Sequence, residues 1–406
     1  DTGTYTPSTY GFKSFAGDGT SGILIYGAHV YRSNLGGMAN NPAQSTGFET
    51  YVPTTGSAVY LPRVGHHVYN GSAWVNEGVL HESEARTNLV TYSNEFTHSS
   101  WVKNATITPN DAVSPDGTSN ASKFSFGGTG YFQFNSISTV GQTYTVSAWV
   151  KSYDGTDEAF QLYAQNGDFN QDFIATSEWQ RFSLTYTSTD ADANHGDGIA
   201  RPTSNTPALL HVYGIQMEAG STPSSYIPTS GSTVTRAAET LTVPAANLPY
   251  SSTNVSIQMD GKMTYAEDGG NNTALPWRWR LDSSNILYNT ISTAGTRTGQ
   301  PRFIQQQATS GYDEVIGANN VYSPNTNVPF NFAGRYGSTF LNGAHEGTLL
   351  TANTTPTALP DLSSTNLELG YIFMGTIGKF RVWSDDLTNT GIATASAPTF
   401  TTEFAM

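Results

Sequence analysis

Apolar and polar positions alternate with a period of two through long stretches of this 406-residue chain. That spacing places successive side chains on opposite faces of an extended strand. In the run Thr143 to Lys151, the residues Tyr144, Val146, Ala148 and Val150 share one face. Phe160, Leu162 and Ala164 alternate with Gln161, Tyr163 and Gln165, and Phe182, Leu184 and Tyr186 alternate with Arg181, Ser183 and Thr185. Further on, Val255, Ile257 and Met259 alternate against Ser256, Gln258 and Asp260. Short strands separated by Gly, Asp, Ser and Asn turns predict two-sheet sandwiches. Asn342-Gly343 follows Ser338-Thr339-Phe340-Leu341 and predicts a two-residue hairpin, since both positions tolerate positive φ. The run Phe373 to Trp383 reads as a closing strand. The expected fold class is all-β, with sandwiches in tandem.

An internal repeat divides the chain. Tyr51-Val52-Pro53-Thr54-Thr55-Gly56-Ser57-Ala58-Val59, then Arg63, follows Ile25-Tyr26-Gly27. Tyr226-Ile227-Pro228-Thr229-Ser230-Gly231-Ser232-Thr233-Val234, then Arg236, follows Val212-Tyr213-Gly214. Both copies close a β-rich segment in the same order, so residues 1–65 read as the closing end of a module whose beginning is absent. A short β element that only shares the closing string is the competing reading. Pro244 and Pro249 flank small residues at the next boundary. The expected domains are therefore 1–65, 66–243, 250–390 and a tail at 391–406.

Composition narrows the function classes. Eighteen Lys and Arg stand against 32 Asp and Glu, for a formal net charge of −14. A nucleic-acid binder needs a basic surface to displace counterions, and none is available here. No apolar run is long enough for a transmembrane helix, so no membrane insertion is expected. With no cysteine, disulfides, thiolate metal sites and cysteine nucleophiles are excluded.

The string Glu84-Ala85-Arg86-Thr87-Asn88-Leu89, followed by Tyr92-Ser93-Asn94-Glu95-Phe96 and Trp101, resembles the opening of a module common in bacteriophage virion proteins. Tyr144–Lys151, Trp179–Tyr186 and the stretch from Val212 to Glu239 resemble its later strings, in order, so the likeness covers roughly residues 80–240. Such modules are similar to jelly-roll carbohydrate-binding domains. The C-terminal region resembles a concanavalin/laminin-G-like sandwich through Phe340-Leu341-Asn342-Gly343, Leu367-Glu368-Leu369-Gly370 and Gly375 to Trp383. The resemblance implies a structural protein on the surface of a tailed phage particle, in tail, fibre or head. Other virion proteins and host surface polysaccharide would be its partners, and a homo-oligomer, as a trimer, its assembly.

Each candidate constellation has a plain structural reading beside the chemical one. Glu77, Glu82 and Glu84 near His81 and Arg86 could supply acid and base for sugar hydrolysis, but the ion-pair reading is favoured at a domain connection. His66 and His67 are neighbours on a strand and point to opposite faces. His211 is expected on a core-facing position. Asp190-Ala191-Asp192-Ala193-Asn194 has the first oxygen spacings of a calcium loop, but His195 and Arg201 stand where Gly and Glu are needed. No cofactor is expected, with a structural calcium ion left open, and neither catalytic nor metal-ligating residues are assigned.

Glycan binding fits best. Sugar rings stack their C–H faces on aromatic rings, and their hydroxyls suit amide, carboxylate and guanidinium groups. Alternation turns Trp149, Gln161, Tyr163, Gln165 and Arg181 away from the core, where together on one sheet they would form a shallow sugar platform. Trp149 packed beneath a loop or a neighbouring subunit is the alternative. In Trp277-Arg278-Trp279-Arg280, both Trp are expected buried and both Arg in solvent. The reading is adsorption to host surface glycans without catalysis. Its rivals are a polysaccharide depolymerase or lyase using Arg335, Tyr336, His345 and Glu346, and a purely architectural protein.

Overall fold

The computed structural model describes residues 63–398 apart from 70–73, 129, 137, 191–194, 203, 205, 266–272, 294, 309–310 and 324. The first repeat copy and nearly all of the expected 1–65 module lie outside the described residues. Within the compact unit that begins at Pro62, the all-β expectation is met by two antiparallel sandwiches.

The central sandwich packs two five-stranded sheets. One runs in the order Phe169–Ala175, Glu158–Ala164, His195–Ala200, Tyr131–Ser136, Trp101–Lys103; the other runs Gln180–Thr187, Thr143–Ser152, Ala208–Ala219, Ala121–Phe126, Thr106–Ala112. The alternation in the sequence is the cause. Val146, Ala148 and Val150 from one sheet and Phe160 and Leu162 from the other are wholly buried between them, with Phe124, Phe132 and Phe96. Gly214, at φ 63°, bulges the strand Ala208–Ala219, and its pairing shifts between Tyr213 and Gln216. The bulge changes the phase, so Leu210, Val212, Ile215 and Met217 all point inward. His211, standing before the bulge and between the inward Leu210 and Val212, faces outward, contrary to the core-facing position expected.

The C-terminal sandwich packs a seven-stranded sheet on a six-stranded one. Trp277 and Trp279 are buried as expected, while Arg280 is exposed. Arg278, expected in solvent, is only 7% exposed, because its guanidinium lies on the Tyr371 ring and pairs with Glu368.

Four further expectations are corrected. Asn342-Gly343 is not a turn; it lies inside the strand Leu341–His345, with Asn342 buried. Gly343 is there for close packing, since a Cβ would meet the Phe303 ring at 2.2 Å. The turn falls at Glu346-Gly347, where both residues have positive φ. The chain after residue 391 is not wholly a tail: the helix Thr388–Ala395 buries Ile392 against Ala333 and Ala344 of the larger sheet. Residues 66–82 do not pair with the jelly roll either. The hairpin Arg63–Tyr69 and Trp74–Glu82 adds to the C-terminal sandwich, Val79 standing opposite Ile377. Leu241–Val243 pairs there too, with Leu367–Ile372. The jelly roll is thus inserted between strands of the other sandwich.

Candidate functional site

The strings that carry the family resemblance build the closure of the jelly roll. Arg86–Asn88 pairs antiparallel with Val234–Arg236, joining the strands where the chain enters and leaves. Buried Asn88 donates to the Ile227 carbonyl (2.8 Å) and accepts from the Val90 and Met217 amides. Ser93 and Thr229 exchange hydrogen bonds, and the Ser93 and Tyr226 hydroxyls meet at 2.6 Å. Asn88, Ser93 and Thr229 satisfy backbone groups that closure would otherwise bury unpaired.

Beside this closure lies a buried ionic clasp. Glu82 is 3% exposed and accepts from the Ser225 amide and hydroxyl. Arg63 (2.6 Å) and Arg236 (2.7 Å), the arginines that follow the two repeat copies, converge on its Oε2. Glu239 takes the other side of Arg63. Burial alone would raise the Glu82 pKa, but the two guanidiniums and the Ser225 bonds outweigh it and bring it down to about 2. Glu84 pairs with Arg86 and Glu77 with Lys262, so the ion-pair reading of these glutamates holds.

Of the five residues expected to form one platform, four divide between the two sheets and Gln165 lies in a turn. Trp149 and Arg181 stand opposite each other on neighbouring strands of one sheet. Its outer face is covered there. Trp149 packs into a cluster with Trp179, Tyr213 and Tyr226. Trp179 donates to the Val113 carbonyl, and Tyr213 donates to Asp116. Arg181 donates to the Ser224 carbonyl and, at 2.9 Å, to Ser147 Oγ. Its burial lowers the guanidinium pKa, against the opposing pull of Glu218 and Glu82. The loop-covered reading of Trp149 is what the structure shows.

Gln161 and Tyr163 belong to the other sheet, and Gln165 to the short 3-10 turn that follows their strand. Gln165 is 1% exposed, not outward: its amide reaches Ser188 Oγ and the Asp190 carbonyl and pins the corner after the strand. Gln161 and Tyr163 do lie on the outer face, in two cross-strand rows. One row is Asn170, Tyr163, Gly198, Gln133 and Val102; the other is Asp172, Gln161, Ala200 and Tyr131. Tyr163 is buried, as are Gly198 and Ala200, whereas Tyr131, Gln133 and Gln161 are half-buried and Asn170 and Asp172 exposed. Across Gly198, Tyr163 donates its hydroxyl to Gln133 (2.8 Å), and Gln161 donates to Asp172 (3.2 Å). Burial, then Asp197 and Tyr131, push the Tyr163 pKa up, so it remains a neutral phenol. A cavity of about 110 Å³ at the end of this sheet is lined by Tyr92, Trp101, Phe134 and Asn135 among others.

Tyr131, Gln133, Asn170 and Asp172 complete a face of rings, amides and one carboxylate. The alternation Tyr131-Phe132-Gln133-Phe134-Asn135 carried the signal for the first two. On such a face the half-buried Tyr131 ring can stack on a sugar, and the amides and carboxylate can hydrogen-bond it. Among the described residues, no group of three His, Cys, Asp or Glu could hold a metal ion. The calcium-loop positions 191–194 lie outside the described residues. Of the residues named for a depolymerase, Arg335 pairs with Asp386, Tyr336 is buried in the core, and Glu346 accepts from Tyr322 and the Asn331 amide.

No protein-family model and no curated protein matches the chain. Solved structures that resemble part of it include the Ruminococcus gnavus IT-sialidase CBM40 bound to α2,3 sialyllactose, at 14% identity and a TM-score of 0.30, over 39% of this chain and 97% of that one. The K499G mutant of NanB sialidase from Streptococcus pneumoniae shares 11% identity at a TM-score of 0.31, over 38% of this chain and 26% of that one. The botulinum neurotoxin serotype D binding domain shares 15% at 0.28, over 37% of each chain. The chain thus spans about a quarter of the NanB sialidase and just over a third of the neurotoxin domain.

Proposed function

We propose that this protein is a structural component of a tailed-phage particle, displayed on its surface, and that it binds host cell-surface glycans without cleaving them. The observation that carries the binding is the paired rows Asn170–Tyr163–Gly198–Gln133 and Asp172–Gln161–Ala200–Tyr131. The half-buried Tyr131 ring and the amides of Gln161, Gln133 and Asn170 there meet the two needs of a sugar, an apolar stacking surface and hydroxyl partners. The phage setting rests on the ordered strings from Glu84 to Glu239, which resemble virion modules. A shallow face binds weakly, so a homo-oligomer, as a trimer, and many copies per particle supply avidity without new contacts.

Purified protein should be retained by host capsule or exopolysaccharide, and chain length should be unchanged after incubation. Retention should fall severalfold in Gln161→Ala combined with Gln133→Ala. Shortening of the polysaccharide would replace this reading with a depolymerase. Firm attachment to particles with no retention by the polysaccharide would leave an architectural role.

A further inference from the structure

The outer face of the opposite sheet carries a feature that neutral sugar binding leaves unused. The register places Lys151, His211 and Lys123 side by side on three adjacent strands. Only six lysines occur in the whole chain, and two of them stand in this one row. Among the described residues, Lys262 and Lys379 pair with carboxylates, but neither Lys123 nor Lys151 does. Each ammonium is held over a ring instead, Lys123 over Tyr153 at 4.9 Å and Lys151 over Trp179 at 5.3 Å. Tyr153 is 40% exposed, so the row is open at that end.

His211 lies between them, 6% exposed, with Nε2 on Asp111 at 2.9 Å. Its Nδ1 is buried without a hydrogen-bond partner among the described residues. A buried polar atom left unpaired costs on the order of 1–3 kcal/mol and marks a place where a ligand or water completes the bonding. Asp111 is already engaged by His211, and the Glu158 carboxylate by the Leu209 backbone N–H. The two ammoniums are thus charges of the row with no carboxylate paired to them among the described residues. The repulsion from a −14 chain is screened beyond roughly 8 Å at physiological salt, so local charge governs an incoming anion.

From this we infer a second saccharide site, specific for sugars that carry an anionic substituent, with the acid group between Lys123 and Lys151 and the ring against Tyr153. It uses none of the residues of the neutral face and stands or falls separately from it.

The test is calorimetric titration of the full chain with a hexamer of galacturonic acid, with its methyl ester, with a sulfated oligosaccharide of equal length and with inorganic sulfate. The uronate hexamer should bind, and the combined variant Lys123→Gln, Lys151→Gln should weaken it by about tenfold or more. Its thermal midpoint should stay near that of the parent, since both lysines are half-buried and Gln keeps most of the side-chain stem. Tight binding of the sulfated oligosaccharide, lost in the same variant, would support the site and identify it as reading charge. Equal binding of acid and methyl ester, or an unaffected lysine variant, would overturn the proposal. Inorganic sulfate binding as tightly as either saccharide would remove the sugar from it. Gln161→Ala combined with Gln133→Ala should leave uronate affinity unchanged, which separates failure here from failure of the neutral face.

Discussion

The two outer faces of the jelly roll are built from the same alternation and end in different conditions. Around Trp149 and Tyr213, the segments carrying Val113, Asp116 and Tyr226 lie over the sheet, and the polar groups beside them are spent on closure. Around Tyr163 the central strand offers only Gly198 and Ala200; Tyr163 itself is 6% exposed, and the accessible groups of this face are the half-buried Tyr131, Gln133 and Gln161 with the exposed Asn170 and Asp172. The difference teaches where each kind of sequence signal is used. The long recognisable strings hold the domain shut. The face suited to a ligand is written in single alternating positions that form no string.

The largest test of this contrast is Glu82→Ala. Removing the carboxylate leaves Arg63 and Arg236 facing each other in a mostly buried site. A loss of about 3–5 kcal/mol is expected in urea unfolding, with Glu82→Gln recovering part of it. A loss under about 1 kcal/mol would show that the clasp does not hold the closure.

Acid should act through the same group. The folded-state pKa of Glu82 lies near 2, below its ordinary value of 4.5. The unfolded chain therefore takes up the proton first. The contribution is fully present above about pH 4.5 and is lost as pH falls toward 2. Its size is on the order of 3 kcal/mol. Stability measured at pH 6, 4 and 2.5 should decline in parent protein and much less in Glu82→Gln.

The smallest effect is a split between the faces. Trp149→Ala should cost about 2 kcal/mol through the half-buried aromatic cluster and leave polysaccharide retention per folded molecule unchanged. Gln161→Ala should change stability by less than about 0.5 kcal/mol and reduce retention. The reverse pattern would move the sugar platform to the covered sheet.

Much of the fold was legible because period-two alternation reports a physical face. Tyr144, Val146 and Ala148 are inside, and Gln161 and Arg181 are outside, as the pattern requires. What alternation cannot report is which sheet a strand joins. Gln161 and Arg181 are both outward, yet they look out from opposite sides of one sandwich. Gln165 shows a second limit: its strand ends at Ala164, and past that point the phase no longer applies. Asn342-Gly343 shows a third. A glycine chosen so that a ring can approach is indistinguishable, in sequence, from one chosen for its dihedral angles. The pairing of Val79 with Ile377 spans most of the described chain, and no local signal announces it.

That pairing has a mechanical consequence. The strands Arg86–Asn88 and Val234–Arg236, at the two ends of the jelly roll, lie side by side. The hairpin before them and the strand after them both belong to the C-terminal sandwich. Tension passed along the chain through that sandwich meets the jelly roll only at its joined base, so the load bypasses the inserted domain. A domain hung in this way can be pulled on through its host sandwich while its own two faces keep their shape.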